Sequence, residues 1–163
     1  MFEKGNFVVH ANNGICEISD IVMMNLNDED REYYVLIPVE EKTAKVFVLA
    51  DSAEKRIRSV MARDDVWKLI KEIKSVDEIL VENEKEREKI YKEAISSRDP
   101  KRLISIIKTS YLRRKKRLED GKKSTAIDER YFKLAENHLH SELAFVLGVQ
   151  KSEVNQIIEA NMK

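Results

Sequence analysis

Apolar residues come in short runs between turn residues up to about position 60, and from Arg63 onward they recur every three or four positions. The first pattern predicts strands and the second predicts helices. Phe7, Val8 and Val9 precede Asn13-Gly14, and Ile15, Cys16 and Ile18 follow it. Glycine enters positive φ without cost and the flanking residues are β-formers, so a β-hairpin or a close relative opens the chain. Residues 21–26 then lead into the acidic stretch 27–32, read as a solvated turn. Tyr33 to Ile37, closed by Pro38, is a strong β run, and residues 43–49, centred on Val46, Phe47 and Val48, are another. Four or five short strands in the first 50 residues predict a small barrel or curled sheet.

The helical half begins where Asp64 can cap a helix with Val66, Leu69, Ile70 and Ile73 on one face and Trp67 beside it. Residues 75–83 read as a short connection. Residues 84–95 form a charged surface helix anchored by Ile90, Tyr91, Ala94 and Ile95. Asp99-Pro100 is a capping side chain followed by a proline at the first helical position, where its missing donor does no harm. The helix that follows is expected to bury Leu103, Ile104, Ile107, Tyr111 and Leu112 and to end near Asp120-Gly121. Thr125, with Asp128 three residues on, resembles a capping box. It opens a helix through Tyr131, Leu134, Ala135, His138, Leu139 and Leu143 to Gly148, and Ser152 caps a last helix over 153–161. The expected fold class is α+β, a small β-barrel or curled sheet followed by a compact all-α domain of about five helices. The expected domains are 1–58 and 59–163.

Composition agrees with a helix-rich globular chain: of 163 residues 37% are charged and 42% hydrophobic, with only four Gly and two Pro. Net charge is zero, but residues 1–60 hold seven Lys and Arg against eleven Asp and Glu, whereas the remainder hold 23 against 19. An acidic head and a basic tail imply different partners. One cysteine makes no internal disulfide, no signal-peptide pattern opens the chain, and no apolar run approaches a membrane span of ~20 residues, so the expected address is the cytoplasm.

Candidate chemistry is sparse. Between residues 101 and 123, ten cations face two acids, with Arg113, Arg114, Lys115, Lys116 and Arg117 consecutive. This is either a phosphate-backbone footprint, which needs no base contacts, or a solvated face. Residues 143–158 have the small residue, Gly turn and later apolar pair of a helix-turn-helix, which would make a sequence-specific DNA reader. The long first helix and Glu153 and Glu159 on the second favour a packed terminal hairpin instead. His138 and His140, two apart on a helix, diverge and do not make a metal pair. Cys16 reads as a small buried hydrophobe, and Trp67 as packing rather than a wedge. No phosphate loop occurs, and neither enzymatic activity, metal nor cofactor is expected.

The opening KGNFVVHANNGIC resembles the G-D-x-V-V-Y-P-x-H-G-V-G signature of the CarD/CdnL family of bacterial transcription regulators, whose first module also occurs in transcription-repair coupling factors. The Tyr33-Tyr34-Val35-Leu36 and Val46-Phe47-Val48 runs, Ile57-Arg58 and Asp65-Val66 continue the likeness in order. So do Tyr91-Lys92-Glu93-Ala94, Ile106 to Thr109, Tyr111-Leu112-Arg113, Asp128 to Phe132 and Glu142-Leu143-Ala144. Asn6, His10, Ala11 and Cys16 depart from the signature, and Val48-Leu49 replaces a frequent Ile-Pro step.

The resemblance implies a Tudor-like β module that binds the β subunit of RNA polymerase and a helical domain that touches promoter DNA at the upstream edge of the bubble. The implied role is non-enzymatic stabilisation of the open complex by a protein that is monomeric when free and nucleoid-associated through polymerase. By motif position the polymerase-facing residues are Thr43, Lys45, Val46 and Phe47, with Val46 near the place of a family Arg. The DNA-facing residues are Arg87, Lys89 and Arg130, with Lys122 and Lys123 nearby. The family tryptophan that wedges into the minor groove falls within 80–84, where nothing is aromatic, and Leu80 is the available apolar wedge. A sequence-specific regulator using residues 143–158 and a scaffold that binds no DNA remain the alternatives.

Overall fold

The structure, a computed structural model, describes residues 2–162, with side chains through residue 160. It divides into two compact units, Met1–Val60 and Met61–Lys163. The first holds β1 (Phe7–His10), β2 (Gly14–Leu26), β3 (Glu29–Pro38), β4 (Val46–Leu49) and β5 (Ile57–Ser59), with a 3-10 turn at Ala50–Lys55. All neighbours are antiparallel in the order β4-β3-β2-β1-β5, so the strands make an open curled sheet and not a closed barrel. At the first hairpin His10 pairs with Gly14, whose φ is 66°, and the His10 ring nitrogen Nδ1 accepts the Asn12 amide at 3.2 Å. One sheet face buries Val8, Cys16, Ile18, Tyr34, Leu36 and Val48 with Ala53 and Ile57.

Two expectations for this unit are corrected. The acidic stretch 27–32 is mostly strand, because Leu26 pairs with Glu29 and only Asn27 and Asp28 form the turn, with φ of 54° and 60°. Positive φ at both central residues gives a turn whose twist matches the flanking strands, so the hairpin extends to its tip. The fourth strand begins at Val46, since Ala44 donates its amide to the Glu41 carbonyl at 3.0 Å and keeps the preceding chain in turns.

The second unit packs α1 (Arg63–Glu72), α2 (Arg87–Ser96), α3 (Pro100–Glu119), α4 (Ala126–Leu147) and α5 (Lys151–Met162) around Tyr91, Ile106, Tyr131, Leu139 and Leu143. Asp99 accepts the Lys101 amide at 2.9 Å and Thr125 accepts that of Asp128 at 3.1 Å, so both capping signals act as read. Gly148 ends α4 at φ 70°. Asp64 and Ser152 do not cap: α1 starts after Ala62 and α5 at Lys151, which places both residues in the first turn, where an acid such as Asp64 suits the helix dipole. The buried side of α3 is also rotated from expectation. Leu103, Ile104, Ile106, Thr109 and Ser110 face inward, whereas Tyr111 and Leu112 lie out. Burying the hydroxyls costs little because Ser110 donates to the Ile106 carbonyl at 2.6 Å and Thr109 to that of Ser105 at 2.7 Å. Leu134 lies at the surface, and Trp67 packs half-buried against the core.

Candidate functional site

Asn83 starts a 3-10 turn, Glu84–Glu86, by accepting the Lys85 amide at 3.1 Å, and that turn runs into α2. Arg87 then folds back, its Nε and Nη2 each donating to one oxygen of Glu84 at 2.8 Å while Nη1 donates to the Tyr91 hydroxyl at 3.1 Å. Tyr91 donates to Asp128 Oδ1 at 2.9 Å. Asp128 Oδ2 accepts from Arg113 Nε and from the Thr125 hydroxyl, each at 2.9 Å. Arg113 also reaches Glu84 at 3.4 Å. One chain of charge-assisted bonds therefore ties the start of α2, the basic stretch of α3 and the first turn of α4, with Asp128 only 1% exposed at its centre.

This network reassigns some of the cations. Arg87 is 6% exposed and bound on both edges of its fork, so its guanidinium positions Glu84 and α2 and does not stand free on the surface. Arg113 is half-buried in the same network. Lys108 donates to the Lys74 and Val76 carbonyls at 3.0 and 2.7 Å, and Arg117 to the Lys123 carbonyl at 2.7 Å. Arg114, Lys115, Lys116, Lys122, Lys123 and Lys89 are exposed. Arg130 is exposed too, with Nη1 3.9 Å from Glu88 and its guanidinium carbon 5.3 Å from the Tyr131 ring centre. The Glu88 pair joins the starts of α2 and α4, and Lys92 Nζ lies 3.7 Å from the other oxygen of the same carboxylate. Between α1 and α2 the segment 76–83 is pinned to α3 through Lys108 and through the Ile79 amide, which donates to the Thr109 hydroxyl at 2.8 Å. Leu80, the next residue, is 90% exposed.

On the sheet unit, β4 pairs with β3 along one edge and ends the sheet order on the other. Val46 is half-buried, Phe47 exposed on that edge strand, and Thr43 and Lys45 exposed just before it. The terminal hairpin offers a different surface. Val154 is fully buried, Ile157 and Ile158 pack on the core, and Lys151 Nζ donates to Asn137 Oδ1 at 2.9 Å. The outward residues of α5, Glu153, Asn155, Gln156 and Glu159, include no cation among the described residues.

Burial pushes the Cys16 thiol up to about 11 and lowers the His140 imidazole from its ordinary value. Neither group has the environment of an activated nucleophile or base. Among the described residues no cluster of three or more His, Cys, Asp or Glu is placed to hold a metal ion. Among the described residues no helix is long and apolar enough to cross a membrane. Asp128 and Arg113 as partners escape a reading of the sequence, because Thr125-x-x-Asp128 signals a helix start while saying nothing of the cation that the carboxylate meets.

Residues 2–61 match the sequence model of the CarD-like/TRCF RID domain, a protein-interaction module and not a known enzyme family. No curated protein matches the chain.

Proposed function

Residues 2–61 are a CarD-like/TRCF RID domain, and from that premise we propose that the chain is a transcription regulator that docks on the β subunit of RNA polymerase and contacts promoter DNA without sequence preference. In this reading it stabilises the open complex from the upstream edge of the bubble. The observation that carries the reading is the family match of a unit whose edge strand β4 pairs on one side only among the described residues, with Phe47 exposed on it. An unpaired edge offers main-chain donors and acceptors for strand addition, and side chains such as Phe47 and Val46 give it specificity. Thr43 and Lys45 flank that edge.

The DNA half of the reading rests on charge and exposure. Lys89, Lys122, Lys123 and Arg130 are exposed and suit phosphate contacts, which position a protein without reading bases. Leu80 stands out from a pinned segment, as an apolar wedge between base steps needs to. Arg87 supports the surface from beneath. Among the described residues no cation on the outward face of α5 favours the helix-turn-helix reading.

The test is binding of the full chain to RNA polymerase core enzyme, with Phe47→Asp as the edge variant. We expect wild type to bind and Phe47→Asp to bind at least about tenfold more weakly, the loss of one central interface anchor. Failure of the wild-type chain to bind overturns the reading.

A further inference from the structure

The long ribbon formed by β2 and β3 changes face at a bulge. The register shifts between Ile18 and Asp20: Ile18 pairs with Leu36 in the core, and beyond the shift Val22 pairs with Tyr33, Met24 with Arg31 and Leu26 with Glu29. Opposed residues on antiparallel strands share a face, as do alternate residues along one strand. Val22, Met24, Leu26 and Tyr33 consequently lie on the face opposite Ile18, Tyr34 and Leu36. β4 continues that outer face, because Tyr33 pairs with Leu49 and Val35 with Phe47. Without the extra residue at the bulge, Val22, Met24 and Leu26 would share the core face with Ile18. The bulge instead turns an apolar row outward, where Leu26 is 52% exposed, Phe47 49%, and Val22, Met24, Tyr33 and Leu49 are half-buried.

The ribbon also holds the negative charge of the sheet unit. Residues 20–32 carry five acids and one base, and the rest of the first 60 carry six of each. Arg31, the one base, is taken by Glu29 through two bonds of 2.9 and 2.6 Å. An outward apolar row costs hydration unless something covers it, and the acidic margin selects a cover with a basic rim. The row is continuous with Phe47 on the edge strand assigned to polymerase.

We propose that the outer face of the β2–β3 ribbon is a second part of the polymerase-docking surface, receiving an apolar strip of the polymerase flanked by Lys or Arg. This rests on the polymerase-docking reading above and extends it from the β4 edge to the ribbon tip. It assigns Met24 and Leu26 as apolar anchors and, as the charged margin, Asp20, which pairs with Val35 on that face, and Asp28 in the turn at the tip.

Met23 provides an internal control, since it is 64% exposed on the same ribbon but on the opposite face. Full-length wild type, Met24→Ser/Leu26→Ser, Met23→Ser, Asp20→Asn/Asp28→Asn and Phe47→Asp would be titrated against core polymerase at several salt concentrations. Protection of the buried Cys16 from a thiol reagent reports in each case that the sheet is folded. The expected result is about tenfold weaker binding for the Met24/Leu26 variant and less than about twofold change for Met23→Ser. Salt should weaken wild type more steeply than the neutralised variant. If the Met24/Leu26 variant binds like wild type while Phe47→Asp does not bind, the ribbon proposal fails and the docking reading stands. If wild type itself does not bind, both fail. If wild type self-associates and Met24→Ser/Leu26→Ser dissolves the oligomer without changing polymerase affinity, the strip belongs to a second copy and the proposal is overturned.

Discussion

Glu84 is a surface carboxylate that behaves like a paired one. The two hydrogen bonds from Arg87 hold its carboxyl down at about 2, with the charge of Arg113 adding to the effect and partial desolvation opposing it. A carboxyl whose folded value lies below its unfolded value contributes stability above the unfolded value and loses it as pH falls toward the folded one. The window here runs from about 4.5 down to about 2. Its side chain is 65% exposed, so solvent screens the pair and the contribution is a small one. Glu84→Gln should lower the urea midpoint of the helical unit at pH 7, and the gap to wild type should narrow steadily between pH 5 and about pH 3. A gap independent of pH would mean that the Arg87 pairing does not stabilise the folded state. Tyr91 complements this at the alkaline end: burial pushes its hydroxyl up to about 12, so stability tied to it is present below the ordinary tyrosine value and is lost as pH rises past it.

At the scale of elements, the three helices that meet at Asp128 depend on one buried carboxylate. Asp128→Ala would leave the Tyr91 hydroxyl without an acceptor and Arg113 without its shortest ion pair, and would remove the hydroxyl partner of the Thr125 cap. Breaking a buried pair from one side costs about 3 kcal/mol or more, and Arg113 keeps some access to water and to Glu84, so about 3 kcal/mol is the expected loss. Denaturant unfolding followed by helical signal should show it, with Cys16 protection in the sheet unit unchanged. A loss below about 1 kcal/mol, the size of an ordinary surface change, would deny the network its role. The helix starts at Pro100 and Ala126 are legible in the sequence because Asp99-Pro100 and Thr125-x-x-Asp128 are local signals. What Asp128 meets is not, since Arg113 and Tyr91 lie 15 and 37 positions away and look in sequence like one more cation and one more aromatic. The orientation of α3 is hidden for a related reason. Ser110 reads as polar and Tyr111 as apolar, yet a hydroxyl that bonds its own helix can turn inward while an aromatic stays out. The ribbon tip misleads because acidic residues at 29–32 look like a loop, although the two-residue turn at Asn27-Asp28 decides the pairing.

For the whole molecule, the unequal charge of the two units becomes a division of labour under the proposed function. Docking through the sheet unit should be largely independent of the helical cations, while the effect on promoter DNA should need both. The helical surface includes exposed Lys89, Lys122, Lys123 and Arg130, and removing any one phosphate-binding cation should reduce the salt dependence of DNA association by roughly one unit of slope. Reversing all four to Glu should therefore leave polymerase affinity within about twofold and shorten the open-complex lifetime toward that of polymerase alone, measured by competitor challenge. Phe47→Asp should shorten the lifetime as well, but by preventing docking, so excess protein should restore it for Phe47→Asp and not for the charge-reversed chain. Leu80→Trp supplies the opposite perturbation. A larger flat wedge on the same pinned segment should lengthen the lifetime if Leu80 enters the groove, without changing the affinity for polymerase. A lifetime unmoved by both the charge reversal and Leu80→Trp, in a chain that still binds polymerase, would leave the helical unit without a DNA role and favour a scaffold that acts through protein contacts alone.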